Sequence, residues 1–354
     1  MYSVRNVNRK GMGCIANHKI KRGTLIEKEE PALEVSPELK LDRNCVAFAQ
    51  IVIDKFNKME MKCKGDYLKL SNKLKMLDPN LPDIDEVQKD LPEWNATLLR
   101  DFSVLNLGDL DVETAVQVYM IFDTNAFHNG VFLKMSRFNH SCVSNAEFFW
   151  NEKENVREIR SISNIAEGDE ITINYKGTEV LDTNERRKKL SWLSFHCICP
   201  ACDLSEKDLI EEKKSCQKMR ELQDKRELHY RDQDGQEHDI FLYLKIRKEV
   251  ECLKEMYKIA KKLKILRIGW ILKDIVEPGF DASCQGFYNM NKVYKGMTLA
   301  NLPEKKKFYV DAQNFASVGM KLSLMLYGKE NSETMDWLSR KADPIKFFEK
   351  EYVK

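Results

Sequence analysis

No run of roughly eighteen apolar residues occurs anywhere in this chain, so nothing in it reads as a membrane-spanning helix. The N-terminal residues lack the apolar stretch of a secretory leader. A dominant charge is missing too. The 354 residues carry 58 basic against 56 acidic side chains, and a net charge of +2 sets up no field for nucleic acid. Histidines number only six, and no Gly-x-Ser-x-Gly elbow is present, which argues against a serine hydrolase. No internal repeat stands out. Hydrophobic residues make up 43% and charged residues 32%, the balance of a globular protein with a real core. Ten cysteines without a leader point to reduced thiols and to metal rather than to disulfides. These absences set the first expectations: a monomer in the nucleus, the cytoplasm or both, with no membrane and no sequence-specific nucleic-acid partner.

Along the chain the hydrophobic period changes several times. Residues 1–35 read as strand, turn, strand, with Gly11 and Gly13 at a tight spot, Gly23 at a second turn and Pro31 as a stop. Val46, Phe48, Ala49, Ile51, Val52, Ile53 and Phe56 recur at helical spacing. A loop over Asp78–Asp83, a helix over roughly Asp85–Leu105 and a further helix capped by Asp111 and running to about Phe122 follow. Strands return at Ala146–Trp150 and Val156–Arg160, spaced as a hairpin, and at Ile171–Tyr175, which alternates as a half-buried strand. Beyond about residue 204 the chain reads as helical. Lys245–Leu263 and Lys305–Leu326 carry apolar stripes, and Gly328 is a C-terminal stop.

The chemistry-bearing residues cluster in the middle. Cys197, Cys199 and Cys202 form a tight trio stiffened by Pro200, and such spacing suits zinc, which takes four ligands in a tetrahedron. Cys142 is the obvious fourth, with His196 and His140 as rivals. A four-ligand site is closed, and therefore structural. Cys14, Cys45, Cys63, Cys216, Cys252 and Cys284 have no ligand spacing and read as small hydrophobic filler. His140 lies in Arg137-Phe138-Asn139-His140-Ser141-Cys142, and Tyr175 ends Glu167-Gly168-Asp169-Glu170-Ile171-Thr172-Ile173-Asn174. Taken singly, His140 is more often a structural histidine than a base, and Tyr175 an ordinary strand tyrosine.

In this order and combination, these motifs resemble the SET-domain protein-lysine methyltransferases. Lys10-Gly11-Met12-Gly13, Asn125-Ala126-Phe127, Ser136 to Cys142, Glu167 to Tyr175, Asn184 to Leu190 and Phe195 to Cys202 carry the likeness, over residues 1–203. Within that family the chain looks most like the SMYD branch. The resemblance implies an α+β fold: a SET β-fold with a helical insert, a cysteine-rich post-SET zinc segment, and an all-α C-terminal domain. It divides the chain into 1–40 and 123–177 as the two parts of the SET domain, 41–122 as insert, 178–203 as post-SET segment and 204–354 as helical domain. It implies S-adenosylmethionine and one structural zinc as cofactors, and a lysine-bearing protein, histone tail or other, as substrate.

Residue roles follow by the same resemblance. Lys10, Met12, Gly13, Asn125, Ser136, Asn139 and His140 would hold the cofactor, and Phe195 would stack over its adenine. Tyr175 would be catalytic and would also touch the cofactor. Phe127 would line the lysine channel, where Leu193 stands in place of a usual aromatic. Cys142, Cys197, Cys199 and Cys202 would bind the zinc. In-line methyl transfer needs a neutral lysine, and a dry aromatic channel beside a cation lowers an amine pKa from its ordinary value near 10.4. Residues 36–110 hold only Cys45 and Cys63, too few for the MYND finger of that branch. Leu193 and the missing finger motivate the alternative of a degenerate SET protein that serves as a partner-binding or transcriptional adaptor. Lys245–Lys264, with eight basic and three acidic residues, reads as a solvated helix face.

Overall fold

The computed structural model describes residues 1–8, 10–36, 46–72, 93, 95–127, 129–151, 154, 156–175, 180–191, 193, 195–231, 239–263, 271–293, 303–327 and 332–352. The expected loop at Asp78–Asp83, the first part of the expected helix from Asp85 and the stop at Gly328 lie outside the described residues.

Three small sheets make the β part. Strands β1 (Tyr2–Val7) and β2 (Gly11–Ala16) form a hairpin that begins a four-stranded sheet of order β1-β2-β9-β6, with β6 at Asn139–His140 and β9 at Glu170–Ile173. Gly11 turns the hairpin at φ 72°, a left-handed backbone that a side chain would strain. The second sheet runs β3-β8-β7, with β3 at Leu25–Glu29, β7 at Ala146–Asn151 and β8 at Val156–Ser161. The hairpin read at Ala146–Arg160 is therefore present, in register from Ala146↔Ser161 to Asn151↔Val156. A third pairing joins β4 (Leu33–Glu34) to β5 (Gly130–Val131). Under the first two sheets lies a core of Cys14, Ile20, Phe132, Phe138, Ile159, Ile171 and Ile173.

Helices α1 (Val46–Asn57), α2 (Met61–Tyr67) and α3 (Val112–Asn125) pack their own core around Phe48, Val52, Phe56, Tyr67, Tyr119 and Phe122. Asp111 caps α3 as its sequence suggests, its carboxylate accepting from Thr114 N at 2.7 Å. The helix runs to Asn125, one turn beyond the expected end, because Ile121, Phe122 and their neighbours are buried and keep the chain coiled.

Short helix α4 (Thr183–Ser191) precedes the cysteine loop. Then come α5 (Glu206–Arg231), α6 (Asp239–Lys262), a π-helical stretch Ile271–Val276, α7 (Glu277–Val293), α8 (Pro303–Tyr327), α9 (Ser332–Ala342) and α10 (Pro344–Tyr352). Among the described residues no helix is long and apolar enough to cross a membrane. Neighbouring helices pack in pairs, and α8 also touches β7 and β8. The helical core, with Val250, Phe280, Phe308 and Trp337, is continuous with Cys142, Leu190, Cys197, Cys199 and Cys202. Cys216 and Cys284 are buried filler, as their spacing suggested.

One acid in this core titrates out of its usual range. Burial pushes the Asp281 carboxyl up to about 6, and its Oδ1 has no hydrogen-bond partner. An acid held above its ordinary value destabilises the folded state once ionised. The cost is absent below about pH 4, grows as pH rises, and is complete above about pH 6 at roughly 2–3 kcal/mol. Denaturant titrations at pH 5 and pH 8 are expected to differ by about half of that, because part of the cost is already present at pH 5, and Asp281→Asn is expected to flatten the difference. An unchanged pH slope in the variant would refute the assignment.

Candidate active site

The site begins with a backbone event. β6 is two residues long, and it is held by parallel pairing to β9, Asn139 opposite Thr172 and His140 opposite Ile173. Ser141 N donates to Ile173 O at 3.0 Å and extends the pairing by one residue. β9 is also paired to β2 on its other edge, Cys14 opposite Ile171. This central place explains a departure from the half-buried strand expected at Ile171–Tyr175. Ile171, Thr172 and Ile173 are all buried, and the strand ends before Asn174. Asn145 completes it from the side, its Nδ2 donating to Glu170 O at 2.8 Å and its Oδ1 accepting from Thr172 N at 2.9 Å.

Tyr175 emerges from β9 and straddles the opposite segment. Its amide donates to His140 Nδ1 at 3.0 Å, and its hydroxyl donates to Phe138 O at 2.7 Å. Burial, with the charge of Glu170 adding, holds the phenol above its ordinary range, so Tyr175 stays a neutral donor. His140 is 5% exposed, and burial pushes its imidazole down to about 4, so the ring is neutral. Because Nδ1 accepts from the Tyr175 amide, the proton belongs on Nε2, 3.3 Å from Cys142 Sγ. His140 thus supports Cys142 and is not itself one of the clustered ligands. Phe195 closes the other side. Its ring centroid lies 5.7 Å from that of His140 and 6.1 Å from that of Tyr175, and His140 and Tyr175 are 5.3 Å apart.

Cys142, Cys197, Cys199 and Cys202 are buried with their sulfurs all within 4.8 Å of one another. Among the described residues it is Cys142, not His140 or His196, that clusters with the other three. The donor set is four soft thiols with no open position, which fits a structural zinc. Cys202 N donates to Cys199 O at 2.8 Å and shapes the loop. Hydrogen bonding to the other three sulfurs holds Cys142 above the ordinary thiol range, and accepting from them holds Cys199 below it. A divalent cation would replace this proton sharing with four thiolates.

The loop is braced by residues that its spacing did not reveal. Arg186 donates to Ala201 O at 2.8 Å and lies 3.8 Å from Cys202 Sγ, and it pairs with Glu212 of α5 at 2.8 Å. Both side chains are only 9% exposed. Glu212 also accepts from Thr183 Oγ1 at 2.7 Å. The helical half of the chain is in this way fastened to the zinc loop.

On the far side of β6, Asn139 Nδ2 donates to Glu170 Oε1 at 2.9 Å and Lys10 Nζ pairs with Glu170 Oε2 at 2.6 Å. Gly13 lies against them, where a Cβ would come within 2.6 Å of Asn139 Nδ2 and 2.9 Å of Glu170 Oε1. Lys10, Gly13 and Asn139 thus meet, through a glutamate given no part by sequence reasoning. Met12 is exposed beside them. Ser136 Oγ is buried without a hydrogen-bond partner. Asn125 is at the end of α3, where its amide donates to Ser71 O at 2.7 Å and Ile121 O at 2.8 Å. Phe127 packs edge-on against Phe148 at 4.9 Å, and Leu193 packs on the helical core.

Residues 11–176 match the family model of the SET domain. A SET and MYND domain-containing protein of Dictyostelium discoideum is 35% identical over 77 residues, 22% of this chain and 15% of that protein. The histone-lysine N-methyltransferase set5 of Schizosaccharomyces pombe is 29% identical over 80 residues, covering 23% of this chain and 25% of its own length. A putative SET domain-containing protein of Acanthamoeba polyphaga mimivirus is 27% identical over 229 residues, 58% of this chain and 79% of its own. The chain therefore spans only 15% and 25% of the first two relatives. Over residues 11–176, a little under half of its length, the chain is thus similar to the SET domain.

Two outcomes test the site's construction. Cys199→Ser is expected to lower zinc from one equivalent to none by elemental analysis and to reduce thermal stability, and full zinc retention would refute the ligand set. Glu212→Ala leaves the buried Arg186 without its carboxylate partner, which is expected to cost about 3–5 kcal/mol in denaturant unfolding. A loss below 1 kcal/mol would show that the brace carries little.

Proposed function

We propose that this chain is an S-adenosylmethionine-dependent methyltransferase acting on lysine side chains of a protein, a histone tail or another. The observation that supports this best is the meeting of Asn139, His140 and Tyr175 at the β6–β9 pairing, with the Lys10–Gly13–Glu170 group on one flank and Phe195 with its four-cysteine loop on the other. The SET-domain match and the histone-lysine methyltransferase among the relatives point the same way.

The donor set suits the cofactor. Lys10 offers a cation for a carboxylate, Asn139 an amide carbonyl for an ammonium, Ser136 an unpartnered buried hydroxyl, and Phe195 an aromatic face. When bound, S-adenosylmethionine supplies an electrophilic methyl on a sulfonium. The chain's own residues then have three tasks. Phe138, Tyr175 and Phe195 exclude water around the reacting groups, which favours the neutral form of an incoming lysine. Tyr175, pinned at its amide and its hydroxyl, cannot swing away, so the amine and the methyl are aligned by a fixed wall. A neutral phenol and the backbone carbonyls beside it present oxygens to developing positive charge without an anion to desolvate. The zinc would hold the wall that carries Phe195 and would take no part in transfer.

Labelled methyl transfer to histones and cell extract tests the proposal. Wild-type protein is expected to label a protein band. Tyr175→Phe and Asn139→Ala are expected to lose at least about tenfold to a hundredfold of that transfer while keeping zinc and fold, as loss of a positioned group does. Full activity in both variants would remove their assigned roles. Cofactor binding without any transfer by the wild type would favour the adaptor reading.

A further inference from the structure

Glu170 opens β9 opposite Ile15 of β2, at the place where three otherwise separate parts of the chain converge. Its carboxylate is 14% exposed and both oxygens are engaged. Oε1 accepts from Asn139 Nδ2 at 2.9 Å, and Oε2 accepts from Lys10 Nζ at 2.6 Å, across 160 residues of sequence. Its backbone carbonyl is fixed as well, by Asn145 Nδ2 at 2.8 Å. Gly13 makes the approach possible, since any Cβ there would run into Oε1 and into the Asn139 amide.

This arrangement matters for what Asn139 can recognise. An amide side chain has two orientations of nearly equal shape, one presenting a donor and the other an acceptor. A carboxylate accepts only. With Glu170 on one side of Asn139, Nδ2 must face the carboxylate and Oδ1 must face the other way. The same carboxylate keeps the Lys10 ammonium beside that amide, so one acceptor and one cation are presented together. That pair complements a group carrying both an ammonium and a carboxylate, as the free amino-acid end of a ligand does.

We infer that Glu170 is a positioning residue, which orients Asn139 and Lys10 for the amino-acid end of the cofactor and leaves the nucleoside end alone. The inference rests on the cofactor reading proposed above. It predicts a selective defect. A merely structural glutamate, tying β2 to β9, would weaken every ligand of the site alike.

The test is calorimetric titration of the full-length protein, wild type, Glu170→Ala and Glu170→Gln, with two ligands. S-adenosylmethionine carries the amino-acid end, and methylthioadenosine lacks it. Glu170→Ala is expected to weaken S-adenosylmethionine on the order of tenfold to a hundredfold, the scale of one lost charge-assisted hydrogen bond. Methylthioadenosine is expected to bind as before. Glu170→Gln still accepts from Asn139 while releasing Lys10, so it is expected to fall between the wild type and Glu170→Ala. Equal weakening of both ligands, or weakening of neither, overturns the inference and leaves the cofactor reading standing. No binding of S-adenosylmethionine to the wild type overturns the cofactor reading itself, and the inference with it. Zinc content and melting temperature, measured on each variant, exclude misfolding as the cause.

Discussion

Two residues of parallel backbone pairing carry the whole site. Asn139 and His140 lie against Thr172 and Ile173, and the Asn139, His140 and Tyr175 groups are positioned from that contact. The Asn139 side chain points to one flank, where Glu170 and Lys10 meet it. His140 points to the other, where its two nitrogens connect the Tyr175 amide to Cys142. Such a short strand has little stability of its own, since a strand in isolation gains nothing to offset its ordering. It persists because β9 is already paired to β2 and because the cysteine cluster holds its far end at Cys142. Side-chain bonds take over where the ladder stops.

The four-cysteine cluster has a double allegiance. Cys142 belongs to the turn that follows β6, while the other three come from the loop after α4. A metal there would join β6 to the segment that carries Phe195. Arg186 and Glu212 extend the same junction into α5. Helix α8 meanwhile touches β7 and β8, which brings the helical half against the β part as well. This is a physical reason for the unbroken core that runs from the cysteines into the helices.

Much of this was legible in the residues. The 3.6-residue period at Val46–Phe56 and in the C-terminal half, the Asp111 cap and the Ala146–Arg160 hairpin all report local physics, and local physics is what periodicity reads. The cysteine spacing likewise exposed three members of the buried cluster, and the SET-like motifs pointed to the domain that the match over residues 11–176 bears out. What stayed hidden is non-local. A two-residue strand such as β6 has no period to detect. Ile171–Ile173 was expected to be half-buried because alternation cannot reveal that partners cover both edges. Glu170 sits inside a recognised motif, yet its role depends on Lys10, 160 positions away. Glu212 looks like any surface acid of an amphipathic helix until α5 is laid against Arg186.

The position of β9 in the middle of the first sheet has a consequence for synthesis. β1 and β2 are made first, but the strand that covers the free edge of β2 ends only at Ile173. At translation rates of about 5–20 residues per second, the N-terminal hairpin waits on the order of 10–30 s for its partner. During that interval its hydrogen-bonding edge is open to other chains. The length of that exposure is set by all the chain between β2 and β9, the strands β3 to β8 as well as the helices α1 to α3.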